Sequence, residues 1–117
     1  MNSKIKIGIV GSSRMAQMHL EVLKSFRDVK LLAISSTKKG TKRRELIREK
    51  FNILHSYDDY KVMIKENNFD AIFVSSSVET IYPISKYLLK EKINLFIEKP
   101  PGLSIAEVKE LSYIARV

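Results

Sequence analysis

Apolar residues in this chain recur in two rhythms. Five short, near-continuous runs, at 5–10, 29–35, 53–54, 70–74 and 93–97, are dominated by aliphatic and β-branched side chains. Strands buried on both faces of a parallel sheet have this character. The segments between them show helical spacing. At 14–26, Met15, Met18 or His19, Val22 and Phe26 share one face, with Ala16, Leu20 and Leu23 beside them, and Ser12 or Ser13 can cap the first turn. Residues 36–40 read as a loop. Residues 41–51 read as a charged helix with a thin apolar stripe at Leu46, Ile47 and Phe51. Ser56-Tyr57-Asp58-Asp59 reads as a capping box opening a helix that turns Tyr60, Met63 and Ile64 inward and stops at Asn67-Asn68.

After the run at 70–74, a helix is predicted to about Glu91, with Val78, Ile81, Tyr82, Leu88 and Leu89 on one side and Pro83 near its start. After the run at 93–97 comes a rigid loop, Glu98-Lys99-Pro100-Pro101-Gly102. Ser104 and Glu107 then form a capping box for a last helix with Ile105, Val108, Leu111 and Ile114 inside. Strands alternating with helices predict a doubly wound, parallel α/β sheet of the Rossmann type. Residues 1–117 fit one such domain, with no internal repeat, linker or low-complexity segment. The chain stops at the end of a helix where such sheets usually continue, so further material is expected beyond it.

Composition narrows the chemistry. The 117 residues hold no cysteine, which removes disulfides, thiolate metal sites and cysteine nucleophiles. No apolar run approaches the ~18 residues of a membrane span, and the apolar N-terminal run is too short for a signal peptide, so a cytoplasmic location is expected. The net charge of +8 is local. Lys38, Lys39, Lys42, Arg43, Arg44, Arg48 and Lys50 face only Glu45 and Glu49 in that stretch. Neither a membrane nor a nucleic-acid partner is expected, since the basic helix lacks interleaved aromatics and any recognised reading motif. His19 and His55 have no partner at metal-ligand spacing, so no metal site is predicted; both read as structural or surface residues. Asp58 and Asp59 read as capping groups rather than a catalytic pair.

Three loops carry candidate chemistry. The first is Gly11-Ser12-Ser13-Arg14-Met15-Ala16, between a strand and a helix N-terminus. In a dinucleotide fingerprint, G-x-G-x-x-G/A, the first glycine permits positive φ, the second bares the backbone to pyrophosphate, and the third position lets helix touch strand. Gly11 and Ala16 fit; Ser13 replaces the middle glycine. The second is the end of the second strand, Ser35-Ser36-Thr37, where NAD-binding domains usually place a carboxylate for the ribose 2′-hydroxyl. Hydroxyls followed by Lys38 and Arg43 suit a 2′-phosphate instead, so NADP is the cofactor expected, with NAD the alternative. Ser75 and Ser76, after the fourth strand, are assigned to the same cofactor site. The third is Glu98-Lys99-Pro100, at a strand's carboxyl end, where open α/β sheets bind ligands. Lys99 is a candidate acid/base, with Glu98 able to orient it. Each loop also has a plainer reading: an unliganded turn, a solvated basic face, an exposed charged turn.

Taken together, the order and spacing of Gly11-Ser-Ser-Arg-Met-Ala16 with His19, Tyr57-Asp58-Asp59-Tyr60, Asp70-Ala-Ile-Phe-Val74 and Glu98-Lys99-Pro100-Pro101-Gly102 resemble the N-terminal domain of the Gfo/Idh/MocA oxidoreductases, over about residues 4–117. The resemblance implies hydride transfer between NAD(P) and a hydroxyl or carbonyl, often on a sugar, inositol or nucleotide sugar. It implies that Lys99 lies by the nicotinamide and contacts the reacting group, and that a second, α/β domain supplies the substrate pocket and usually the oligomer interface. Two departures stand out: Ser13, and Ser77, Val78 and Ile81 where members often carry Pro, Asn or His. The resemblance therefore leaves open a non-catalytic NAD(P)-binding sensor or interaction protein on the same fold. An isolated sheet edge also offers a route to a homo-oligomer.

Overall fold

The computed structural model describes residues 4–116. Five parallel strands, β1 (Ile5–Val10), β2 (Val29–Ser35), β3 (His55–Tyr57), β4 (Ala71–Val74) and β5 (Leu95–Ile97), form one sheet in the order β3-β2-β1-β4-β5. Between and after them run α1 (Arg14–Leu23), α2 (Thr41–Lys50), α3 (Tyr60–Glu66), α4 (Val78–Lys90) and α5 (Ile105–Arg116). The registers Val10↔Ser35, Ser35↔Tyr57, Val10↔Val74 and Val74↔Ile97 bring all five carboxyl ends to one rim. The strand order reverses between β1 and β4, and open α/β sheets bind ligands at that switch point.

Alternation along the strands divides the core. On one face Ile9 and Ile34 pack with Ala16, Leu20, Ile47, Phe51 and Ile53 under α1 and α2. On the other, Val10, Ala33, Ile72 and Val74 pack with Met63, Ile81 and Leu88 under α3 and α4. The Phe69 ring lies against Gly8, where a Cβ would sit 2.7 Å from it.

The predicted doubly wound sheet is present, and the differences are local. Helix α1 ends at Leu23, not Phe26, because the Val22 and Leu23 carbonyls accept from the Ser25 and Phe26 amides and turn the chain away. Its buried residues are Ala16 and Leu20. The small Ala16 must approach β1, which carries the Met15, Met18, Val22 and Phe26 stripe round to solvent. The third strand begins at His55. Ile53 instead closes α2, its amide donating to the Arg48 carbonyl at 2.9 Å after Asn52 takes the left-handed conformation, φ 56°.

Ser56 and Tyr57 are thereby drawn into β3, and Asp59 alone caps α3, accepting from the Lys61 amide at 2.8 Å. The predicted loop at 36–40 contains a 3-10 turn, Lys38–Gly40. On α2, Leu46 faces solvent and Arg44 is buried beside Ile47. Val78, Ile105 and Val108 are likewise exposed rather than inward. Pro83 lies in the second turn of α4, past the first-turn positions where a missing N–H is harmless. The Ser104 cap is formed, accepting from the Glu107 amide at 3.2 Å, while Glu107 reaches back to the Leu103 amide at 2.8 Å.

Candidate functional site

Gly11 sits at the switch point with φ +122°. A Cβ there would lie 2.2 Å from the Ser75 carbonyl oxygen, so only glycine fits. The Gly11 amide donates to the Ser35 carbonyl at 2.8 Å, and the Ser75 amide to the Val10 carbonyl at 2.8 Å. The loop is thus wedged between the ends of β2 and β4. Ser13 explains its own departure from glycine: its hydroxyl accepts from the Ala16 amide at 3.1 Å as the N-cap of α1 and donates to the Ser75 carbonyl at 2.9 Å. No acidic residue stands in the first turn of α1. Its amide dipoles therefore present an uncompensated positive end, suited to an anion.

Arg44 organises the neighbouring rim. Buried at 4 % exposure, it reaches Ser56 Oγ through Nε at 2.7 Å, Ser36 Oγ through Nη1 at 2.9 Å, and Asp58 Oδ1 through Nη2 at 2.6 Å. That guanidinium holds the Asp58 carboxyl below its ordinary range, with the Thr41 hydroxyl adding to the effect. Beneath it, bonds from Ser56 and then Arg48 lower the Glu45 carboxyl in the same way. Ser35 is buried at this rim, its hydroxyl without a partner among the described residues.

These elements enclose a cleft of about 460 Å³, within the range of small-molecule and cofactor sites. Of the sequence-predicted cofactor residues, Gly11, Ser12, Ser13, Ser35, Ser36, Thr37, Arg43 and Ser76 line it, joined by Asp58, Asp59, Tyr60, Ser77, Thr80 and others. Ser75 and Ala16 are buried beneath the loop. Arg14 and Met15 lie in the exposed first turn of α1, and Lys38 is exposed in the 3-10 turn. The glycine wedge, the positive helix end and the orphaned Ser35 hydroxyl fit a dinucleotide: a helix N-terminus for phosphates and a polar wall for ribose.

Glu98 and Lys99 lie elsewhere on the rim, at the end of β5, outside the cleft lining. Glu98 does not orient the Lys99 ammonium. Its Oε2 meets His19 Nε2 at 2.6 Å, and its Oε1 accepts from the Lys99 backbone amide at 3.3 Å. The His19 bond comes first among the causes that keep the Glu98 carboxyl below its usual range, against partial burial. The His19 ring packs against Phe73 and Phe96 at centroid distances of 5.4 and 5.1 Å. Lys99 itself is exposed, and the Lys99–Pro100 peptide is cis.

Sequence reasoning set His19 and Arg44 aside. Spacing carried a signal for both. His19 falls three residues after Ala16 on the buried side of α1, and Arg44 falls at i−3 and i−7 from Ile47 and Phe51. No group of three or more metal-ligating side chains occurs among the described residues, and no helix among them is long and apolar enough to cross a membrane.

A parallel sheet in this strand order, with a glycine wedge and a helix N-terminus at its switch point, defines a Rossmann dinucleotide-binding domain. The chain belongs to the Gfo/Idh/MocA oxidoreductase family: the model of its NAD-binding Rossmann domain matches residues 5–117. It is 33% identical over 107 residues to myo-inositol 2-dehydrogenase of Thermotoga maritima, covering 92% of this chain and 31% of that protein. The crystal structure of myo-inositol 2-dehydrogenase from Lactobacillus plantarum superposes with TM-score 0.86 at 27% identity, over 97% of this chain and 33% of that one. An Agrobacterium radiobacter oxidoreductase solved with NAD+, L-tartaric acid and magnesium shares the fold at TM-score 0.89 and 18% identity, over 97% of this chain and 33% of that one. The chain thus spans about a third of the length of the relatives it matches.

Proposed function

We propose that residues 1–117 are the cofactor domain of a cytoplasmic oxidoreductase that moves a hydride between NADP(H) and a hydroxyl or carbonyl of a sugar- or inositol-like molecule, with NAD(H) as the alternative cofactor. The observation that carries the cofactor reading is the wedge of Gly11 against Ser75 beside the α1 N-terminus, whose positive end no acidic side chain compensates. Ser12, Ser13, Arg14, Met15 and Ala16 continue that loop into the helix, where main-chain N–H groups take up phosphate oxygens. Ser75 and Ser76 back the loop from β4.

The preference for NADP(H) rests on the end of β2. Ser35, Ser36 and Thr37 place no carboxylate there, and Lys38 and Arg43 stand close by to meet a 2′-phosphate. The bound nicotinamide supplies the hydride acceptor or donor. Lys99, exposed at the end of β5 and anchored through Glu98, gives or takes the proton at the substrate oxygen. The substrate class follows the inositol dehydrogenases among the relatives, and its pocket would be built by a further domain, which would also provide any homo-oligomer contact. Calorimetric titration of this chain with NADPH and NADH tests the reading. Tighter NADPH is expected; no heat from either at millimolar concentration would overturn it, and tighter NADH would overturn the NADP preference alone.

A further inference from the structure

The cleft wall at the end of β2 is not purely cationic. Because Ser35 pairs with Tyr57, and the Ser36 amide donates to the Tyr57 carbonyl at 3.2 Å, Ser36 and Asp58 emerge side by side from adjacent strands. Arg44 ties them from below, so its charge is spent on Asp58 rather than offered to the cleft. The Ser36 hydroxyl accepts from Arg44 and donates to the Thr37 carbonyl at 3.0 Å, which leaves it only a lone pair for a ligand. Asp58 is 48% exposed in its side chain and lines the cleft. Its Oδ1 takes bonds from Arg44 and Thr41, while Oδ2 has no hydrogen-bond partner among the described residues. Ser36 Oγ and Asp58 Oδ2 together make an acceptor-only surface. Such a surface receives a hydroxyl and repels a phosphate.

We infer that Asp58 is a specificity-determining residue for the adenosine end of the cofactor, a carboxylate supplied from the loop after β3 in place of the one missing at the end of β2. The inference rests on the cofactor reading above. Arg43 and Lys38 pull toward a 2′-phosphate and Asp58 pulls toward a 2′-hydroxyl, so the preference of the chain is the difference between these opposed charges. Removing the Asp58 charge therefore tips the balance to the phosphorylated cofactor.

The test is calorimetric titration of wild type, Asp58→Asn and Asp58→Ser with NADPH, NADH, 2′,5′-ADP and 5′-AMP, with thermal unfolding as the check that each variant is folded. Asparagine keeps an Oδ1 acceptor for Arg44 and puts a neutral amide donor in place of the charged Oδ2, while serine removes both. The expected result is a rise of about tenfold in the NADPH-to-NADH affinity ratio, close to the roughly fivefold of a like-charge contact at about 4 Å in bulk water, as suits a carboxylate half exposed to solvent, with the 2′,5′-ADP-to-5′-AMP ratio moving the same way. A ratio unchanged within about twofold in folded variants overturns the inference while leaving the cofactor reading intact. Failure of all four probes to bind wild type overturns the cofactor reading, and the inference with it. Wild type alone gives an independent readout: the Asp58 carboxyl-carbon resonance should move on addition of 5′-AMP, and a resonance that stays put at saturation overturns the inference.

Discussion

The loops after β1 and β5 leave the same rim of the same sheet, yet the chain fixes them by different means. The first is held chiefly by main chain: Gly11 is pressed on the Ser75 carbonyl and its amide bonds the Ser35 carbonyl, with the Ser13 hydroxyl as a side-chain support. The second is held by side chain: Glu98 of the β5 loop is bound to His19, 79 residues earlier on α1, between two phenylalanine rings. A main-chain site tolerates no substitution at the point of contact, because no rotamer can absorb it. A side-chain tether tolerates change but responds to protonation. The two loops also share an element, since α1 carries the Ser13 cap at one end and His19 in its second turn.

The largest expected effect comes from breaking the main-chain loop. Gly11→Ala brings a methyl group to 2.2 Å from the Ser75 oxygen and forces φ +122° on a residue with a Cβ. Strain and overpacking together are expected to cost about 3–5 kcal/mol, read as a fall in the urea midpoint, with dinucleotide binding abolished. Near-wild-type stability would mean that the loop yields, and that its fixation by main chain is wrong.

A smaller loss is expected from cutting the tether. His19→Ala removes a charge-assisted bond and two ring contacts at a site about four-fifths buried. The expected cost is about 1–2 kcal/mol. Hydrogen exchange should quicken at the Lys99 amide but not at the Gly11 amide. The tether also has a pH signature. The folded Glu98 carboxyl lies below its reference value of 4.5. Its contribution is therefore fully present above that value and lost as pH falls through the lower folded one. Wild type should lose stability more steeply than His19→Ala below about pH 4.5; parallel acid curves would show that the bond contributes nothing.

This contrast also sets how much could be read from sequence. The fold was legible because five apolar runs and their helical intervals repeat one local rule. The main-chain loop was legible because Gly11 and Ala16 are locally required types. The tether was not, because the spacing from Ala16 marks His19 only as inward-facing, and its partner Glu98, 79 residues away, is brought to it only when the sheet sets β5 beside α1. Arg44 was hidden in the same way. Within a run of basic residues it reads as surface, and only the spacing to Ile47 and Phe51 marks it as inward. The edges of β3 failed for another reason: Ile53 is apolar because it closes α2, not because it pairs in the sheet.

The smallest effect sharpens the comparison within the first loop. Ser13 stands where the fingerprint has glycine, and it works there through one hydroxyl with two partners. Ser13→Ala removes the cap and keeps the Cβ, so a loss of about 1 kcal/mol is expected. Ser13→Gly removes both, yet glycine is itself an acceptable N-cap, so a loss of only a few tenths of a kcal/mol is expected. The two variants separate further in binding. If the Cβ crowds the phosphates, glycine should bind NADPH more tightly than wild type while alanine binds more weakly or equally. If the hydroxyl is what matters, both should bind more weakly by a similar factor. Calorimetry beside urea unfolding distinguishes the two outcomes, and equal stability of alanine and wild type would remove the capping role assigned to Ser13.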